Sequence, residues 1–146
     1  MKLWQRLYNM VWLSVFACTL VPRWFGRYAA IVHVVVGVVV FALTRANAKM
    51  LGMAPVPDRL KRISKAVALL AAAQGVLGLG LGALHVWPAA PWLIHAILDG
   101  AHVFLSLAIL AQSSSLATGY DMWEEHELAP APSDTAAAGG GTAKTA

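Results

Sequence analysis

The sequence predicts an all-α integral membrane protein, a bundle of four transmembrane helices. Of the 146 residues, 59% are hydrophobic and only 12% are charged, whereas soluble domains carry about 25% charged residues. The apolar residues are concentrated in four long blocks, as membrane spans are. Within lipid, every backbone polar group must be paired, and the chain is far too short to form a closed barrel. The blocks are therefore predicted to be helices.

The four blocks differ in length. A span needs about 20 residues, with a range of roughly 17 to 25. The first block has 15 residues, which suits either a short span whose flanking arginines snorkel to the interface or a helix lying in the interface. We expect a span, and the alternative is three spans plus an interfacial helix. The blocks run from Leu7 to Val21, Tyr28 to Thr44, Ala66 to Trp87 and Trp92 to Ala111.

Prolines and charges set the predicted topology. Pro55 and Pro57 break the chain between the second and third blocks, and Pro88 and Pro91 break it between the third and fourth. Six cations crowd the loop before the third block, which marks a cytoplasmic loop rather than a nucleic-acid site. The protein is therefore expected in the plasma membrane as a multi-pass protein with both termini cytoplasmic. The cations are Arg45, Lys49, Arg59, Lys61, Arg62 and Lys65.

Two parts of the chain are distinguished by composition. Residues 1–112 are predicted to form the transmembrane four-helix domain. Residues 113–146 are polar, and from residue 129 they are mainly small or polar residues that bury too little surface to fold. We therefore expect a largely disordered cytoplasmic tail.

Ionisable side chains within spans are costly and usually functional. At about 1.5 Å per residue, His33 lies roughly 8 Å beyond Tyr28, and His95 lies roughly 5 Å beyond Trp92. The two imidazoles would then approach from the same side on different helices. Such a pair can clamp a heme iron, so His33 and His95 are the predicted axial ligands, with His102 as the substitute for either.

The fourth block supports two interpretations of its polar residues. His95, Asp99 and His102 are spaced as i, i+4 and i+7, which places them in one stripe of a helix. The stripe could bind Zn or Cu, since imidazole and carboxylate groups suit these metals. Alternatively, Asp99 orients a ligating histidine through its free N–H group, the interpretation we favour. Gln74 on the third block is either a cofactor contact or a polar contact between helices.

Several features together resemble one half of a heme A synthase. They are the segment His33-Val-Val-Val-Gly37, the segment Gln74-Gly75-Val76-Leu77-Gly78, and His95 at the start of the fourth helix, 21 residues after Gln74. The four-span layout with a short outer loop is a further similarity. The resemblance covers residues 7–112 and implies histidine heme ligands facing the outer side. The family's glutamate and its His-Arg pair are not matched, because Ala30 precedes His33 and Val34 follows it.

The sequence thus predicts a membrane protein that binds b-type heme and transfers electrons or handles heme in a respiratory chain. Its expected partners are the lipid bilayer, other membrane respiratory subunits and a quinone, and not nucleic acid. One alternative is a heme A synthase-like oxidoreductase, although the chain has no complete catalytic motif. The other is a cofactor-free accessory or anchor subunit of a membrane complex.

Overall fold

The structure, a computed structural model, describes residues 2–19, 25–86 and 91–128. In these ranges the chain forms four α-helices and one short 3-10 turn, Gly26–Tyr28, and no strand. The all-α prediction is confirmed. The helices are α1 (Leu3–Thr19), α2 (Ala29–Met53), α3 (Asp58–Val86) and α4 (Trp92–Leu128).

Local sequence explains where α2 begins and ends. Gly26 has a φ of +46°, a left-handed conformation that glycine adopts without a Cβ clash, and it begins the 3-10 turn before α2. At the other end, Ala54 is extended, as expected for a residue before proline. Asp58 begins α3 directly after Pro57, and its carboxylate stabilises the helix by interacting with the positive end of the helix dipole.

The helices pack as a ring of neighbours. α1 contacts α2 and α4, and α3 also contacts α2 and α4, so α2 and α4 occupy opposite corners of the bundle. Neighbouring helices are antiparallel. Gln74 and Ser106 meet between α3 and α4, and further along the same pair Leu60 lies beside Gly119. α2 and α4 consequently run parallel across the diagonal.

The buried core lies toward one end of this bundle. We call it the basic end, because it contains the Pro55–Pro57 turn and the six clustered cations of the sequence. From α2 up to residue 39, from α3 beyond residue 71 and from α4 before residue 109, no described side chain is fully buried. The half away from the basic end is therefore far more open. The core consists of Leu7, Met10, Leu51, Val56, Leu60, Val67, Leu116, Ala117 and Tyr120.

The helices extend beyond the apolar blocks at the basic end. α2 continues from Thr44 to Met53, and α3 begins eight residues before Ala66. α4 does not end near residue 112, the expected domain boundary, but continues to Leu128 because Leu116, Ala117 and Tyr120 pack into the core. The predicted disordered tail from residue 129 lies outside the described residues.

Three described segments are long and apolar enough to cross a membrane: Gly26–Met53, Asp58–Leu84 and Trp92–Glu127. α1 is shorter, with 17 residues. Its buried residues recur every three or four positions and face α2 and α4, so α1 is a full member of the bundle. These residues are Leu7, Met10, Ser14 and Ala17.

Candidate functional site

Two histidines meet across the diagonal of the bundle. His33 of α2 and His102 of α4 have ring centroids 6.0 Å apart, with an angle of 50° between the ring planes. Both side chains are partly buried. Since α2 and α4 stand at opposite corners, the two rings meet across the bundle, and the His102 ring lies against α3.

Gly78 of α3 makes room for the His102 ring. A Cβ atom at this position would lie 3.3 Å from Cε1 of His102, closer than ordinary van der Waals contact. Glycines in membrane helices let neighbouring helices approach closely. At Gly78 the absent side chain lets an imidazole ring lie against the backbone of α3.

Polar side chains continue the site toward the basic end. Gln74 donates from Nε2 to Oγ of Ser106 at 2.6 Å, and Ser106 donates in turn to the backbone oxygen of His102 at 2.9 Å. The Cys18 side chain of α1 lies near Ser106. We call these five residues, His33, Gln74, His102, Ser106 and Cys18, the polar cluster. Every helix contributes to it.

Two atoms of the polar cluster lack a partner. Nδ1 of His102 and Oε1 of Gln74 are buried without a hydrogen bond in the described part of the chain. Burying an unpaired polar group costs roughly 1–3 kcal/mol by mutational measures. Such atoms are therefore candidates for contact with a bound group or with water.

The polar cluster lies immediately beyond the core. Going from the basic end toward the open half, the last buried residues are Val40 in α2, Ala71 in α3 and Ile109 in α4. Gln74 and Ser106 lie one turn beyond that level, and the histidine pair lies one further turn away. The site thus borders the tightly packed region on one side and the open half of the bundle on the other.

The other predicted site residues are placed differently. His95 lies two turns, about 10 Å, from His102 along α4, and its Nδ1 is 3.4 Å from the backbone oxygen of Pro91. Asp99 is exposed, and it does not orient His102 through Nδ1, since that atom has no partner. Within the described ranges, no three His, Cys, Asp or Glu side chains converge as a metal site, and this includes the stripe of His95, Asp99 and His102.

Sequence reasoning missed Ser106 and Cys18. Ser106 follows His102 by four residues and continues the stripe of His95 and Asp99 along one helix face, so the spacing alone could have identified it. Cys18 carries no comparable signal, because its contact depends on how α1 packs beside α4. Comparisons of the chain with protein-family models, with curated proteins and with solved structures find no match.

Proposed function

We propose that the chain is a membrane protein that binds one b-type heme through His33 and His102. The observation that carries the proposal is the approach of these two imidazoles across the bundle, with ring centroids 6.0 Å apart. Two imidazole rings that bind one ion from opposite sides, through metal–nitrogen bonds of about 2.0–2.1 Å, would have their ring centroids roughly this far apart. The pair replaces His33 and His95 as the favoured ligands, since His95 lies two turns away.

The number of available ligands favours heme over a simple metal ion. A structural zinc site has four protein ligands, and a catalytic one has three. Only two imidazoles come together in the described part of the bundle. A porphyrin supplies four equatorial nitrogens itself, so two axial histidines are sufficient. Copper or zinc at His95, Asp99 and His102 is accordingly less well supported.

The chain's own residues would position and tune the bound group. The packing of His102 against Gly78 restricts the orientation of its ring. If Nε2 of His102 binds the iron, no described group accepts a hydrogen bond from Nδ1 to raise the basicity of this ligand. Heme, when bound between two histidines, supplies one-electron chemistry. With this assignment we propose a role in electron transfer or heme handling, with respiratory subunits and a quinone as partners.

The visible absorption spectrum of the purified protein tests the proposal. We expect a Soret band that shifts on reduction. Replacing His33 or His102 by Ala should abolish or strongly shift the band, because each removes an axial ligand. His95→Ala is the matched control, since it removes a histidine from the same helix as His102 and should leave the spectrum unchanged. Loss of the band in His95→Ala but not in His102→Ala would restore the first ligand assignment.

A colourless protein after expression with excess heme would refute the heme proposal. In that case the second candidate, a cofactor-free accessory subunit, would be favoured. The observation supporting it is the open half of the bundle, where no described residue of α2, α3 or α4 is fully buried and a partner subunit could pack. Co-purification of a stoichiometric membrane partner with the colourless protein would support this candidate.

Heme A synthase-like activity is a weaker alternative for the same site. Ala30 and Val34 stand beside His33 on α2, so no carboxylate or guanidinium from these positions is available for heme oxidation. Incubation with heme O and analysis of the extracted heme would detect this activity directly.

We also propose that the protein lies in the plasma membrane with the basic end facing the cytoplasm. Cysteine-accessibility labelling from each side of the membrane would test that orientation.

A further inference from the structure

We infer that α2 and α3 form a binding site for an anionic phospholipid at the basic end of the membrane span. A groove of about 300 Å³ lies between these helices. Two cations, Arg45 and Lys65, lie along it together with an apolar wall. The apolar residues are Phe41, Ala48, Ala68, Leu69 and Ala72.

The groove has its charged and apolar parts in the order that a phospholipid requires. Arg45 directly follows the apolar block of α2, and Lys65 directly precedes that of α3. Both cations therefore lie at the level where the apolar spans end and lipid headgroups begin. From Lys65 to Ala72 the groove continues about 10 Å into the span, where an acyl chain can lie against its apolar wall.

The two cations are available to a ligand. Both side chains are exposed, and neither forms a salt bridge in the described part of the protein. The salt bridge found there joins Lys61 and Asp58 instead. Basic pockets between transmembrane helices suit anionic headgroups, which they recognise by charge. A phosphodiester between Arg45 and Lys65 would complete a site whose apolar part is already formed.

Small residues give the groove its depth. Ala48, Ala68 and Ala72 contribute only methyl groups to a lining that also includes Phe41 and Leu69. The exposed fraction of Leu69 is 72%, so its side chain projects toward the bilayer beside the groove. The shape suits one acyl chain lying along the helices.

Lipid retention and a titration test this inference. The full chain is placed in nanodiscs of phosphatidylcholine with a minor fraction of phosphatidylglycerol, and the lipids that remain bound are counted by native mass spectrometry. A titration with phosphatidylglycerol in neutral detergent gives the affinity. We expect preferential retention of phosphatidylglycerol and an affinity that decreases with salt. Retention of the two lipids in proportion to their abundance in the nanodisc would overturn the inference.

Two double variants separate the groove from general basicity. Arg45→Gln with Lys65→Gln should weaken phosphatidylglycerol binding by ~30-fold, given the usual contribution of each cation near an anionic membrane surface. The control combines Lys49→Gln with Arg62→Gln, which removes the same charge from exposed residues of the same helices outside the groove. An equal loss in both double variants would show diffuse attraction and overturn the inference.

A third variant leaves the charges intact. Ala72→Leu fills the deep end of the groove and should weaken lipid binding several-fold while preserving both cations; unchanged binding would overturn the acyl-chain part of the site. This variant also decides the question if the Arg45 and Lys65 variant does not fold. Finally, glycerol 3-phosphate at millimolar concentration should not displace the lipid. Displacement would reveal a phosphate-only site and refute the lipid assignment.

Discussion

Replacing Gly78 by leucine tests the packing that places His102. The built Cβ atom already lies 3.3 Å from Cε1 of the His102 ring, and the rest of a leucine side chain would need space that the ring occupies. Forcing extra carbon atoms into a packed site costs typically 1–3 kcal/mol. We therefore expect the free energy of unfolding of Gly78→Leu to be lower by about this amount than that of Gly75→Leu, in which no ring has to move.

Gly75→Leu is the matched control for this prediction. Gly75 lies on the same helix, three residues away, and a Cβ atom there meets nothing within 4 Å. Both variants gain the same helix propensity, so the difference between them isolates the contact with His102. Unfolding in mixed micelles, followed by far-ultraviolet circular dichroism, gives the two free energies. Equal stability of the variants would refute the placement of His102 against α3.

Two further predictions concern the core and the polar cluster. Leu116→Ala should lower the free energy of unfolding by about 3–5 kcal/mol, because Leu116 is 1% exposed and truncation leaves a cavity. Leu79→Ala should change it by less than about 0.5 kcal/mol, since Leu79 is 77% exposed; similar losses would contradict the position of the core. A double-mutant cycle of Gln74→Ala and Ser106→Ala should give a coupling free energy of about 0.6 kcal/mol and at most about 1.7 kcal/mol, the average and the maximum for hydrogen bonds between membrane helices. Additive effects would argue against their hydrogen bond.

The sequence predicted the number of helices and their order, but not where they end. Hydropathy detects the part of a helix that contacts lipid, so the predicted blocks end at the first charged or polar residues. At the basic end, however, α2, α3 and α4 continue as amphipathic helices whose inner faces contribute Leu51, Leu60 and Leu116 to a core. Isolated apolar residues among polar ones signal such extensions only once their partners on other helices are known.

The histidine pair illustrates a similar limit for the site. The predicted depth of each histidine is counted from the first residue of its apolar block, which assumes that all helices begin at the same level. His33 lies roughly 8 Å along its apolar block, and His102 lies roughly 15 Å along its own. Because the two rings are in contact, the apolar block of α4 begins about 7 Å farther from the basic end than that of α2. Such an offset depends on tertiary packing. A ligand role for His95 stays a prediction.

The great length of α4 separates charges of opposite sign along the molecule. The contacts of Leu60 with Gly119 and of Gln74 with Ser106 place Lys65 level with residues 114 and 115 of α4. Glu124 and Glu127 then lie about 14 Å and 19 Å from the level of Lys65 along the helix axis, beyond the screening length of roughly 8 Å at physiological ionic strength. These two carboxylates are thus too far from Lys65 to neutralise its charge. An anionic leaflet beside Lys65 would attract this cation and repel Glu124 and Glu127. The two forces together would favour an orientation of α4 along the membrane normal.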